Sequence, residues 1–256
     1  MEASKKTYWL RIAIVFALGF LGVLSALPIL PKLLMATGQE PPVPMFVLQA
    51  LSTIQSSVIL AAMVMLGAWL SPKIVLGTPV IDAFLNKTWD ELNLKKIVVS
   101  GTLGGVLGGI SLLFFYNFFM RYLPQEFLEN AKGFTPPIYT KILYGGITEE
   151  VLIRWGLMSF FVWGLFRLTQ SPDSKVNTYN YIVGIVVSAI IFGAGHLPAA
   201  FMLSSVVTVE LVTYIIVGNL IFGLISGYLY WKQGLESAVL AHMLAHVVMI
   251  LGEQIA

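Results

Sequence analysis

Residues 147–155 read Ile147-Thr148-Glu149-Glu150-Val151-Leu152-Ile153-Arg154-Trp155, two carboxylates and a guanidinium inside a run that otherwise has the composition of a membrane-spanning helix. On insertion scales a charged side chain at the middle of a spanning helix costs about 2.5–3.5 kcal/mol, so the three together cost about 8–10 kcal/mol before any pairing. Something must offset that cost, so the stretch predicts both a membrane fold and a polar site within it. The whole chain agrees on the membrane. Of its 256 residues 57% are hydrophobic and 11% charged, with a mean hydropathy of +0.85, whereas a soluble domain carries roughly 25% charged residues.

Working outward, a spanning helix needs about 20 mostly apolar residues, and seven stretches qualify: 8–30, 45–70, 97–119, 138–167, 181–202, 205–231 and 236–253. The expected fold is all-α, a polytopic transmembrane helical bundle of about seven to eight spans. Residues 1–137 supply N-terminal spans and loops, and residues 138–256 supply the core that holds the polar residues, in one integrated domain. Residues 71–96 are too charged to span, but their apolar piece 74–85 reads as an interfacial or re-entrant segment and is where an eighth crossing could hide. The first apolar run follows Lys5 and Lys6 yet is longer than a signal-peptide core and lacks a clear small-x-small cleavage site, so it reads as a span.

Lys5, Lys6, Arg11, Lys73, Lys87, Lys95, Lys96, Arg167, Lys175 and Lys232 fall on the side of the N-terminus, and only Lys32, Arg121, Lys132 and Lys141 fall on the other. The positive-inside rule then puts the N-terminus in the cytoplasm and, with seven spans, the C-terminus outside. A net charge of +2 without a basic cluster gives no surface for nucleic acid. The chain has no cysteine, so any chemistry rests on carboxylates, histidines or hydroxyls. In the third span Gly101, Gly105 and Gly109 recur every four residues beside Gly104 and Gly108, a spacing that lets helix backbones approach closely; Gly223 and Gly227 repeat it in the sixth.

Glu150 and Arg154 are four apart and form an ion pair on one helix face. Glu149 is turned by about 100° from Glu150 on an α-helix and needs another partner. The three histidines all lie in apolar segments, His196 in IIFGAGHLP, His242 and His246 in LAHMLAHVV. Counted at about 1.5 Å per residue, Glu149 and His242 lie about 16 Å, and His196 and His246 about 10 Å, from the side where the fourth span begins, so the four can meet. Gly145, Gly146, Gly193 and Gly195 leave room for close helix approach or a local break lining a cavity, and Pro198 marks an end or kink of the fifth span. Glu210 and Glu253 read as interfacial, and Asn219 as a hydrogen bond between helices.

The order EEVLIR, FGAGH and a last-span histidine motif resembles the CPBP family of intramembrane proteases, which includes CAAX prenyl endopeptidases and bacteriocin-processing or immunity relatives. The resemblance spans roughly residues 138–250. It implies that Glu149 activates a water together with His196, that Glu150 and Arg154 brace the site with Phe192 packed beside it, and that His242 helps stabilise the oxyanion. Where the family commonly has asparagine four residues after that histidine, this chain has His246, which can donate to an oxyanion or ligate a metal.

The residues support such chemistry in their own right. Amide hydrolysis without cysteine needs an activated water, a general base and donors aimed at the tetrahedral oxyanion. The expectation is a peptide or protein substrate, prenylated C-termini among the candidates, at a site bathed by membrane lipid, with catalysis by glutamate and no cofactor favoured. The alternative cofactor is a zinc-like divalent metal held by Glu149, His196, His242 and His246. A transporter or proton-relay protein, or a catalytically silent immunity or binding protein, are the competing functions. One tension follows: this topology places the site nearer the outer face, whereas processing of prenylated C-termini takes place in the cytoplasm.

Overall fold

The computed structural model describes residues 5–38, 40–171 and 173–255, the last without the side chains of Glu253 and Ile255; the expected interfacial Glu253 lies outside the described side chains. Among the described residues there are helices and no strands, and seven helices are long and apolar enough to cross a bilayer: Lys5–Thr37, Met45–Ile74, Leu94–Tyr122, Ile138–Thr169, Thr178–Met202, Val209–Gln233 and Leu235–Gly252. Several starts are set by local chemistry, since the side chains of Asn93, Asn177 and Thr208 accept hydrogen bonds from Lys96, Asn180 and Leu211 backbone N–H groups that a helix leaves unpaired. The sixth span therefore begins at Val209, four residues later than its apolar composition suggests.

Residues 71–96 do not cross. They form one tight turn, Ser71–Ile74, a short helix, Pro79–Asn86, and a further turn, Trp89–Glu91. Eight residues rise only about 12 Å, far short of the roughly 30 Å hydrocarbon core. This short helix is held at the end of the bundle where the first span begins. Arg11 Nη2 lies 2.5 Å from Asp82 Oδ1, and the Ile81 N–H donates to Glu236 Oε1 at 2.9 Å. Burial pushes the Asp82 carboxyl above its ordinary value, although Arg11 opposes the shift. Gly234 turns the sixth span into the seventh with φ +92°, and a Cβ there would run into Pro79, so only glycine suits the turn.

The glycine stripe of the third span is a packing surface, as its spacing predicts. A Cβ at Gly101 would stand 2.9 Å from Ser237 O, one at Gly105 2.6 Å from Leu244 Cβ, and one at Gly109 2.7 Å from Val248 Cβ. The stripe thus seats the seventh span, which carries His242 and His246, while Gly104 and Gly108 meet Leu229 and Phe222 of the sixth. Gly223 and Gly227 pack on Ala189 and Ile185 of the fifth. The first span is part of the same bundle: its Gly22 faces Leu143 and Thr148, and the Thr148 hydroxyl donates to Gly19 O at 2.7 Å.

The fourth span departs from the expected plain α-helix. Over Lys141–Glu149 and again over Val151–Met158 it winds as a wide π-type coil, a form rare in proteins and frequent at functional sites. Close neighbours on both sides hold it. Gly145 and Gly146 lie against His246 and Met243 of the seventh span, and Gly156 lies against Met63 of the second. The glycines give close approach without a break in the helix. Pro198 likewise does not end the fifth span, which continues to Met202.

Candidate active site

Glu150 is the structural centre of the polar residues. The carboxylate is 1% exposed and Arg154 0%, and both are engaged by polar neighbours. Arg154 Nε lies 3.3 Å from Glu150 Oε2, and the Ser226 hydroxyl donates to the same oxygen at 2.5 Å. His242 Nδ1 is 2.8 Å from Glu150 Oε1. Arg154 also donates to Ser226 Oγ at 3.2 Å and Ser188 Oγ at 3.5 Å. Its Nη2 has no hydrogen-bond partner among the described residues, but the guanidinium stands 5.9 Å from the centre of the Phe192 ring, within range of cation–π attraction. Four spans thus converge on one ion pair.

Glu149 points elsewhere, as the angular argument requires, although the π-type coil turns less per residue than the 100° of an α-helix. Its Oε1 lies 3.8 Å from His196 Nε2 and its Oε2 3.9 Å from His242 Nε2. The two rings are oriented by their other nitrogens. His196 Nδ1 is 2.9 Å from the Phe192 carbonyl oxygen, and His242 Nδ1 faces the Glu150 carboxylate. Both partners can only accept, so both Nδ1 atoms carry the hydrogen and each Nε2 is the position that gains or loses a proton. Glu149 therefore sits between the two exchangeable nitrogens of the site. Phe192 closes one side, its ring edge-on to His196 at 4.7 Å and to His242 at 6.4 Å.

The structure brings Glu149, Glu150, Arg154, Phe192, His196 and His242 together, and sets His246 beside them in a different way. His246 stacks on His242 at 4.9 Å between ring centres and lies against Gly145, but among the described residues has no carboxylate within ion-pair distance. Among the described residues no three His, Asp or Glu side chains gather at metal-ligand spacing. His246 is set apart from Glu149, whereas His196 and His242 each turn Nε2 toward Glu149 with Nδ1 held by an acceptor, an orientation that suits either a shared water or a metal ligand.

A cavity of about 1020 Å³ opens beside the site and is lined by Glu149, His196, His242 and His246. Most of its wall is apolar, with Leu112, Phe115, Ile191, Ile215 and Met249 among the lining residues. Gly195 faces this space and has no atom within 4 Å of where its Cβ would lie. Asn219 also lines the cavity; its amide donates to Ile215 O of its own helix at 2.8 Å and does not bridge helices as expected. Glu210 is exposed in the first turn of the sixth span, as expected. Sequence reading misses Ser226 and Ser188, because serine on a small-residue stripe looks like packing. It also misses Ser52 and Ser56 of the second span, which face the cavity.

No curated protein and no solved structure gives a match to the chain. A family model does: residues 131–248 match the one described as type II CAAX prenyl endopeptidase Rce1-like. The matched segment, a little under half of the chain, holds Glu149, Glu150, Arg154, Phe192, His196, His242 and His246, and over it the chain is similar to the CPBP, or CAAX protease, family.

Proposed function

We propose that the protein is an intramembrane endopeptidase in which Glu149 activates water, with no metal taking part. The observation that carries the reading is the placement of the Glu149 carboxylate 3.8 Å from His196 Nε2 and 3.9 Å from His242 Nε2, at the wall of a cavity large enough for a peptide segment. Such separations are too long for direct hydrogen bonds and suit groups that share a water. In the proposed reaction a water bound by Glu149 and His196 loses a proton to Glu149 as its oxygen bonds to the scissile carbonyl carbon. The developing oxyanion takes a hydrogen bond from protonated His242 Nε2. Collapse of the intermediate breaks the C–N bond, and the proton held by Glu149 passes to the leaving amine. Glu150 acts as a positioning residue, fixing the His242 ring through Nδ1.

The test uses protein purified in detergent and a panel of farnesylated CAAX peptides and unmodified membrane peptides. Glu149→Gln and His196→Ala should each lower cleavage by at least about 10²-fold, the usual worth of a positioned acid–base group, while inserting and purifying as the wild type does. Cleavage retained in either variant overturns the assignment. Loss of wild-type activity on adding a chelator, restored by zinc, overturns the metal-free part.

A further inference from the structure

The span ends among the lining residues show toward which face of the bundle the cavity extends. Its lining runs from the C-terminal ends of the odd-numbered spans, at Leu27, Tyr116 and Ala199, to the N-terminal ends of the even-numbered ones, at Gln49, Thr140 and Tyr214. In a bundle whose spans alternate in direction these ends share one face, the mouth face. The opposite face carries the short helix Pro79–Asn86 and the turn at Gly234, which close the bundle there.

The charges divide in the same way. Of the fifteen lysines and arginines Arg154 is in the site, ten lie on the closed face and four on the mouth face. On the closed face Lys73 lies 3.8 Å above the Trp69 ring and Lys232 3.4 Å above that of Trp231, pairs suited to the membrane–water boundary, where tryptophans and lysines anchor spans. Lysine and arginine excess marks the cytoplasmic face. The mouth therefore faces away from the cytoplasm. Because residues 71–96 do not cross, no eighth span reverses this relation. The wall descending from the mouth on the second span carries Ser52 and Ser56, one turn apart, whose hydroxyls make no hydrogen bond among the described residues and are open to a peptide backbone.

We propose that this protein takes its substrate from the non-cytoplasmic side of the membrane: an extracytoplasmic segment of a membrane-anchored or exported polypeptide, in place of a prenylated C-terminus in the cytoplasm. The cleavage rests on the peptidase reading above; the sidedness rests on charge and cavity alone.

The absence of cysteine makes the test direct, since single cysteines can be introduced without background. In intact cells a membrane-impermeant maleimide should label Thr135→Cys, in the loop on the mouth face, and should label Ser174→Cys only after the membrane is opened. Ser52→Cys and Ser56→Cys should be labelled in intact cells. Reversed labelling of the two loop cysteines overturns the orientation. Cavity cysteines unreached from outside, with the loop cysteines labelled as expected, overturn the outward mouth. Vesicles sealed in each orientation then receive a pool of unmodified quenched-fluorescent peptides or a farnesylated CAAX peptide. Cleavage of the unmodified peptides only where the mouth face is outward supports the proposal, and cleavage of the farnesylated peptide from the cytoplasmic face overturns it. Expected labelling without cleavage of any peptide overturns the peptidase reading and leaves the sidedness standing.

Discussion

At the scale of single residues, two adjacent glutamates divide the work because their surroundings differ. Glu150 is enclosed by Arg154, Ser226 and His242 and has no route to water, so its loss or that of a partner is felt as stability. Arg154→Ala strands a buried carboxylate and should cost about 3–5 kcal/mol, visible as failure to purify or a collapse of the melting temperature in detergent. Ser226→Ala removes one donor and should cost about 1–3 kcal/mol, with protein still recovered at a lower melting temperature. Glu149, 17% exposed at the cavity wall, should tolerate Gln without such a loss. The pairing of Glu150 with Arg154 and the need of Glu149 for histidine were legible in the sequence, from spacing and from the cost of charge in lipid. Ser188 and Ser226 were not, because a serine's role is set by which helix face meets the guanidinium, and that depends on packing between distant segments. His246 was legible as a member of the cluster, but its separation from Glu149 comes from ring stacking, which spacing does not reveal.

At the scale of elements, the spans and their glycine seam could be read from composition and period alone, since lipid forces backbone groups to pair within each helix. The π-type winding of the fourth span could not. It depends on close contact with Gly67, Met63 and Met243, none of them adjacent in sequence. The glycines themselves offer a graded test. Gly105→Ala places a methyl group 2.6 Å from Leu244 Cβ and should destabilise the protein by about 1–3 kcal/mol, the usual cost of overpacking. Gly195→Ala meets nothing and should change stability by less than about 0.5 kcal/mol; melting temperatures of the two variants side by side decide the point. On the mouth face a loop contact carries its own pH dependence. Glu126 accepts from the Ser205 N–H at 2.9 Å and hydroxyl at 2.6 Å, and these bonds hold its carboxyl below the ordinary value. A depressed carboxylate pKa stabilises the fold above the unfolded-state value and loses that contribution as pH falls through the lowered one. Amide exchange at residues 203–208, corrected for intrinsic rates, should therefore rise in acid and stay flat in Glu126→Gln.

At the scale of the whole molecule, the seven spans were legible from apolar runs and the basic side from lysine and arginine counts, but the cavity and the face toward which it extends needed the fold. One further consequence concerns how the chain is made. The fourth span carries its ion pair into the bilayer, yet the side chains that complete it, Ser188, Ser226 and His242, belong to segments synthesised afterwards. Between Arg154 and His242 lie 88 further steps of synthesis (242 − 154), which at about 5–20 residues per second last about 4–18 s. Until Ser188 and then Ser226 are made, only the Glu150–Arg154 pair itself and the contact of Thr148 with the first span can shelter the polar residues. The nascent fourth span must be sheltered by the insertion machinery or wait at the lipid headgroups until the seventh span arrives, so completion of this polar site comes well after the span that carries its ion pair is made.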